Sequence, residues 1–167
     1  MSRTRLKLLR TIRFDASDAA VYDVAAPDGE WAISGAFAFA NDDPATLTGK
    51  TRQAFANGFL GMTSFGRSTF AVVSEARYED RDELVDRLAR HFVEQYGAPD
   101  IDAALPVAEG EVAFAVGLAA DQPINTVLTV RRIVGGNGEI KEEFRTIRPP
   151  SGEPMHARVW TVENDEM

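Results

Sequence analysis

The sequence predicts a single α+β domain spanning residues 1–167, with a mostly antiparallel sheet of five to seven strands and two or three helices packed chiefly on one face. Three observations support this fold class. Apolar residues alternate at period two in several segments, which is typical of strands. Apolar residues at helical spacing follow Asp80. Two strand-like segments flank a glycine-rich turn at residues 135–138, which predicts a hairpin.

The N-terminal half contains four predicted strands and one predicted helix. Residues 30–39 show the clearest alternation, because large apolar residues occupy one face and mostly Ala or Ser the other. Asp43 and Pro44 predict a helix start, with the carboxylate as the cap and the proline at the first helical position. The predicted elements are strands over residues 5–14, 19–24, 30–39 and 68–76, and a helix over residues 44–57.

The C-terminal half begins with the most regular predicted helix. This helix starts at Asp80, which forms a capping-box pattern with Glu83, and it stops at Gly97. Residues 103–120 fit either a helix beginning near Pro106 or a strand, and their alanine content and length favour the helix. Three further strands are predicted over residues 126–134, 139–148 and 157–162.

Composition and charge argue against several classes of protein. The chain has no cysteine, so disulfides and thiolate metal sites are excluded. Its formal net charge of −8 argues against a nucleic-acid binder. No apolar run approaches the ~20 residues that span a bilayer, and no apolar signal-peptide region follows the basic N-terminus. We therefore expect a cytoplasmic protein that binds neither nucleic acid nor a membrane.

The least ordinary segment of the chain covers residues 58–70. It contains three Gly and three Phe, and Arg67 carries its only charge. This composition predicts a buried or ligand-facing connection between a helix and a strand, because ordinary surface loops are polar. In a ligand-facing arrangement, Arg67 would hold an anionic group in a pocket lined by Ser64, Phe65 and Ser68.

Arginines on the predicted strands form a second candidate surface. The arginines of these strands could present a basic face to an anionic ligand or an acidic partner. Arg131 and Arg145, together with Phe59 from the apolar segment, are the candidate interaction residues. The favoured alternative is that these arginines pair across neighbouring strands with nearby carboxylates, which are those of Glu139, Glu142 and Glu143.

No catalytic motif in the sequence is complete. Residues 48–51 resemble the end of a P-loop, but Pro44 stands where that loop requires Gly. Ser68 lies outside a nucleophile elbow, because the final Gly of that motif is missing. His91 and Glu94 have a spacing used by metal ligands on helices, but one pair is too few for a site. We therefore predict no catalytic residue, no metal site and no cofactor.

Several segments together resemble a family of small uncharacterised proteins from alphaproteobacteria, which has no assigned activity. These segments are LLRTIRFD at residues 8–15, GEWAISGAF at 29–37, GFLG at 58–61 and SFG at 64–66. The resemblance covers nearly the whole chain and implies no particular site residues. Members of this family are encoded near genes for redox enzymes or cofactor ligases, which implies an accessory role.

The sequence therefore leads to two functional expectations. The first is a non-catalytic accessory or binding protein of the cytoplasm, which contacts a protein partner or forms a homodimer. The alternative is a protein or enzyme that binds a small anionic ligand in a pocket around residues 58–68. The sequence leaves open whether the protein is an enzyme.

Overall fold

A computed structural model describes residues 5–14, 16–40, 42–148 and 161–164. The strands are β1 Arg5–Ile12, β2 Trp31–Ile33, β3 Phe59–Gly61, β4 Arg67–Ser68, β5 Phe70–Arg77, β6 Val127–Val134, β7 Ile140–Arg148 and β8 Thr161–Asn164. The α-helices are α1 Ser17–Val21, α2 Gly49–Asn57, α3 Tyr78–Gln95 and α4 Ile101–Ala120, and short 3-10 helices cover Ala36–Phe39 and Pro44–Thr46.

The eight strands form one sheet in the order β4-β3-β2-β1-β5-β6-β7-β8. Each of these neighbouring pairs is antiparallel. Strand β4 has only two residues, and the other seven strands of the described chain have three or more. Seven strands is the upper end of the predicted range. The α+β class and the antiparallel sheet are therefore confirmed.

The core lies on both sides of β1. Leu8 and Leu9 point to opposite faces of the sheet because successive side chains of a strand alternate, and both are completely buried. Leu8 belongs to a hydrophobic cluster with residues of β2, α3 and α4. Leu9 belongs to a second cluster with residues of β3, β5, β6 and the end of α4. Both faces of the central sheet therefore contribute buried apolar surface.

Elements with a strong local pattern form as predicted. The stripe of α3 is buried at Leu84, Leu88 and Phe92, and Gly97 follows the helix with a φ of +78°. Residues 103–120 are helical, within α4, which begins before Pro106 because the carboxylate of Asp100 caps it by accepting the N–H of Ala103 at 2.8 Å. The β6–β7 hairpin surrounds the glycine-rich turn.

One predicted strand of the N-terminal half was wrong, and another was predicted too long. Residues 19–24 were expected to be extended, but α1 occupies this region and its Asp18 carboxylate bonds to the backbone and hydroxyl of Thr69. The predicted strand over residues 30–39 ends at Ile33, because Gly35 adopts a φ of +77° that no strand tolerates. The following 3-10 helix turns its phenylalanines toward α2 and α3.

Two predicted helix starts were also displaced. Asp43 accepts the N–H of Ala45 as predicted, but it caps only a 3-10 helix, and α2 begins later. The capping box of α3 does not join Asp80 to Glu83. Asp80 instead lies inside the helix and accepts the backbone N–H of Arg77, which lowers the pKa of the Asp80 carboxyl.

The last predicted strand, residues 157–162, lies outside the described residues except for its final two positions, which begin β8. The expectation that the protein does not bind a membrane stays a prediction. Within the described chain, α4 alone is long and apolar enough to cross a membrane by length and composition, with a mean hydropathy of 1.5. The core helix of a soluble protein can meet the same criterion, and five residues of α4 are buried in the fold.

Candidate functional site

The apolar segment, residues 58–70, is a hairpin at one edge of the sheet. β3 and β4 pair through residues 59–60 and 67–68, and the turn between them covers residues 62–64. The backbone N–H of Arg67 donates to the carbonyl of Val24 at 2.8 Å, so the outer side of β4 is also covered. The segment is largely buried and joins α2 to β5, as predicted, but it also contributes two short strands that the sequence did not predict.

The Arg67 side chain is buried against backbone carbonyls. Its residue is only 7% exposed, and its guanidinium donates to the carbonyl oxygens of Gly58 and Gly35, both at 3.1 Å. The ring of Phe39 lies 5.0 Å from the guanidinium carbon. Burial, together with the like charge of the neighbouring Arg132, lowers the pKa of Arg67 to about 9. Backbone carbonyl groups of the protein itself thus stabilise the positive charge of Arg67.

A second buried arginine, Arg132, reaches the same carbonyl from the opposite side. Its Nη1 donates to the carbonyl oxygens of Phe55 at 2.8 Å and Gly58 at 3.1 Å, while Nη2 donates to the carbonyl and hydroxyl of Ser34. Its Nε donates to Glu142 at 2.9 Å. Burial lowers the pKa of Arg132, whereas Glu142 opposes this shift. Arg67 and Arg132 thus share the Gly58 carbonyl as an acceptor, and we call these two residues the arginine pair.

The other pocket residues predicted from sequence are also engaged within the protein. Ser68 is completely buried and donates to the carbonyl of Phe70 at 2.7 Å. Ser64 bonds to the Glu30 carboxylate at 3.1 Å. An external anion could therefore reach Arg67 and Ser68 only if the hairpin opened.

Phe65 lies on the outside of the hairpin, apart from Arg67. It adopts a φ of +57°, which is uncommon for a residue with a side chain. Its ring stacks on His91 of α3, with ring centroids 3.9 Å apart and an interplanar angle of 6°. Within the described chain, no group of three or more His, Asp or Glu side chains is placed to hold a metal ion. His91 therefore packs against an aromatic ring here.

The predicted interaction residues do not form one surface. Phe59 is completely buried, with its ring centroid 6.2 Å from that of Phe144. Arg131 and Arg145 are exposed and lie near Glu143, which is directly opposite Arg131 and 3.9 Å from Arg145. The cross-strand alternative is seen at Arg132, which pairs with Glu142 on β7. Arg145 instead lies near a carboxylate of its own strand, and Arg131 makes no ion pair within the described chain. A partner could not contact the Phe59 ring without disrupting the core.

Sequence reasoning missed the most unusual exposed surface of the described chain, which lies on α4. Only 28% of the apolar 18-residue window of this helix is buried. Val107 is 56% exposed and Phe114 is 44% exposed. One exposed face of the helix carries no charge, and we call it the α4 face; its residues are Ala103, Pro106, Val107, Gly110, Ala113, Phe114 and Gly117.

A groove between α3 and α4 borders the α4 face. Its volume is about 480 Å³, and its apolar wall is formed by Val85, Leu105, Val112, Ala113 and Val116. Four charged residues complete the lining, and three of them are acidic, namely Arg81, Asp82, Asp86 and Glu109. The groove therefore combines an apolar floor with a predominantly negative rim. The groove forms because one side of α4 packs inward and the other stays exposed. The spacing of residues in the sequence does not determine which side packs inward.

The protein is therefore an α+β domain with one antiparallel sheet. Its arginine pair is hydrogen-bonded within the protein, and one apolar face of α4 is exposed. DUF6505, a family of unknown function, matches residues 6–162, so the chain belongs to this family. Neither the curated proteins nor the solved structures contain a match to this chain. The match confirms a family without an assigned activity, as the resemblance implied, and it does not extend to an alphaproteobacterial origin.

Proposed function

We propose that this protein is an accessory protein that binds a partner protein by packing an apolar helix of that partner against the α4 face. The exposure of Val107 and Phe114 is the observation that carries this proposal. Soluble domains rarely expose a contiguous apolar strip without using it for binding. A helix of 20 residues is about 30 Å long, which is sufficient to seat a partner helix of similar length.

Small residues favour a helix as the bound element. A Cβ atom added to Gly110 or Gly117 would meet no other atom within 4 Å, so neither glycine is required for packing inside the chain. Each nevertheless weakens the helix by about 1 kcal/mol relative to Ala. Two such positions on one exposed face allow another helix to approach the α4 backbone closely.

Charge favours a basic partner over a second copy of the chain. Asp102 and Glu109 are exposed beside the α4 face, and Asp82 and Asp86 lie across the groove. A second copy would bring the same carboxylates toward each other, which costs free energy. A partner helix with Lys or Arg on both sides of its apolar strip would instead complement this rim.

The resemblance adds a biological setting to the proposal. We expect an alphaproteobacterial host, a cytoplasmic location and a partner that belongs to a redox-enzyme or cofactor-ligase system. These expectations specify where the partner should be sought. The physical proposal depends only on the α4 face and its acidic rim.

A matched pair of valines tests the proposal. Val107 and Val24 are both 56% exposed but lie on different surfaces. A photo-crosslinker at position 107 in the native host should capture one partner, which is then purified for titration calorimetry. Val107→Glu should weaken its binding at least about tenfold, because a charge would be buried at the contact. Val24→Glu should leave binding and folding unchanged.

Three results would contradict the proposal in different ways. Equal affinity of Val107→Glu and the unchanged protein would remove the α4 face from the contact. Equal losses for the position 107 and position 24 variants would indicate a nonspecific effect of charge. A homodimer that Val107→Glu dissociates, measured by sedimentation equilibrium, would assign the face to a second copy and contradict the basic partner.

A further inference from the structure

The geometry points to a second binding site, a cleft between α2 and β6 where Arg52 and Arg131 hold a small dianion. The shared chemistry is that of a phosphate ester or a dicarboxylate. This inference is independent of the proposed protein contact, because it uses neither α3 nor α4. The site also differs from the pocket predicted around residues 58–68, because Arg67 does not line it.

The cleft exists because β5 ends its pairing with β6 early. The two strands pair only as far as Thr129, and α2 lies beside the remainder of β6. The side-chain amide of Asn57 donates to the carbonyl of Val130 and fixes the end of α2 against the strand. The resulting cleft has a volume of about 440 Å³, which suits a small molecule.

The lining of this cleft contrasts with the charge of the whole protein. The chain has 26 acidic and 18 basic residues. The ten described residues that line the cleft nevertheless include three arginines and no carboxylate, and they are Pro44, Ala45, Arg52, Phe55, Ala56, Asn57, Arg131, Arg132, Ile133 and Val134. A local positive potential is thus built into an acidic protein, which favours an anionic ligand there.

The three arginines of the cleft have different roles. Arg132 already donates to protein acceptors from all three of its nitrogens and its charge is paired with Glu142, so it has a structural role in the cleft wall. Arg52 and Arg131 are exposed, and within the described chain neither guanidinium makes a hydrogen bond or an ion pair. Glu143 lies opposite Arg131 on β7 but does not line the cleft.

Two available guanidinium groups define the class of ligand. Each can donate two parallel hydrogen bonds to a carboxylate or phosphate. Two of them match a ligand with two negative charges better than one with a single charge. The volume of the cleft excludes a large polymer from full burial, so the ligand is a small molecule.

Calorimetric titration of the full chain at constant ionic strength tests the site with pyrophosphate and malonate as probes. We expect saturable binding of at least one probe. Arg52→Gln and Arg131→Gln should each weaken it about tenfold, because each removes a charge-assisted bidentate contact. The matched control is Arg87→Gln, which removes an exposed guanidinium from α3. Unfolding curves verify that all three variants fold.

The outcomes separate the ligand sources and the competing explanations. Binding of pyrophosphate alone would assign a phosphate ligand, and binding of malonate alone would assign a dicarboxylate. Saturable binding of neither probe at millimolar concentration would overturn the inference. Equal weakening by Arg87→Gln would also overturn it, because the effect would then reflect net charge. Val107→Glu should not alter this binding, so the two proposals fail independently.

Discussion

The arginine pair and the α4 face distribute polar and apolar groups in opposite ways. The first buries the guanidinium groups of Arg67 and Arg132, whereas the second exposes Val107 and Phe114 to solvent. Buried polar groups persist when their hydrogen bonds are satisfied, and the donors of Arg67 and Arg132 find acceptors within the chain. The described chain leaves much of the α4 face exposed to solvent. An unusual group that is satisfied internally therefore indicates a structural role, and one left exposed indicates a binding role.

The largest loss of stability is expected from replacing Arg132, the buried arginine that pairs with a carboxylate. Arg132→Met should reduce the free energy of unfolding by about 3–5 kcal/mol, because it leaves Glu142 without its cation in a partly buried site. Arg67→Met should cost less, about 1–3 kcal/mol, because it leaves only carbonyl acceptors and removes a neighbouring like charge. Urea unfolding of both variants measures the difference. A larger cost for Arg67→Met would reverse this ranking of the two arginines.

A smaller effect is expected at the glycine that supports the arginine pair. An added Cβ on Gly35 would lie 2.5 Å from the Leu60 Cβ and 2.8 Å from Arg67 Nη1, at a φ of +77°. Gly35→Ala should therefore cost about 2–4 kcal/mol, from both backbone strain and steric overlap. Gly29 also has a positive φ, but an added Cβ there meets nothing within 4 Å. Gly29→Ala is the control for strain alone, and equal thermal stability of the two variants would contradict the close packing at Gly35.

The glycines of α4 should respond with the opposite sign. Gly110→Ala and Gly117→Ala should each raise the free energy of unfolding by about 0.5–1 kcal/mol, because alanine favours the helix and its methyl group meets no neighbour. The same variants should weaken partner binding if a helix packs closely against them. Thermal unfolding and partner titration measure the two effects separately. A loss of stability would show that these glycines have a packing role inside the protein.

The smallest effect concerns the stacked histidine beside the hairpin. Burial lowers the pKa of His91 below its ordinary value of 6.5, although Glu94 opposes this shift. The unfolded chain therefore binds the proton more readily, and stability should fall as the pH decreases through 6.5. His91→Gln should reduce that decrease, measured by urea unfolding on both sides of this pH. An unchanged pH dependence in the variant would assign the effect to other groups.

The parts of the fold that could be predicted are those with a repeated local pattern. The stripe of Leu84, Leu88 and Phe92 defined α3, and alternation defined β1 and the β6–β7 hairpin. The same alternation failed over residues 30–39, because it cannot distinguish a strand from a turn whose rings pack elsewhere. Phe37 contacts Phe92 of α3, and this contact is distant in sequence.

The candidate sites were harder to predict for the same reason. Arg67 was recognised as the unusual charge of its segment, but its environment depends on Gly35 and Arg132, which are brought near it only by the fold. The composition of α4 was visible in the sequence, whereas the side left exposed is determined by its packing against α3 and the sheet. Residue type was thus readable from the sequence, and accessibility was not.

The Gly58 carbonyl also implies an order of events during folding. It accepts one bond across nine residues, from Arg67, and another across 74 residues, from Arg132. Closing a short loop costs less entropy than closing a long one, so we expect the first bond to form within the hairpin before the second. Arg132 and Glu142 then remain hydrated until the β6–β7 hairpin docks beside α2. We therefore expect the desolvation of this ion pair to follow the formation of the hairpin around Gly58, whose carbonyl is one of its acceptors.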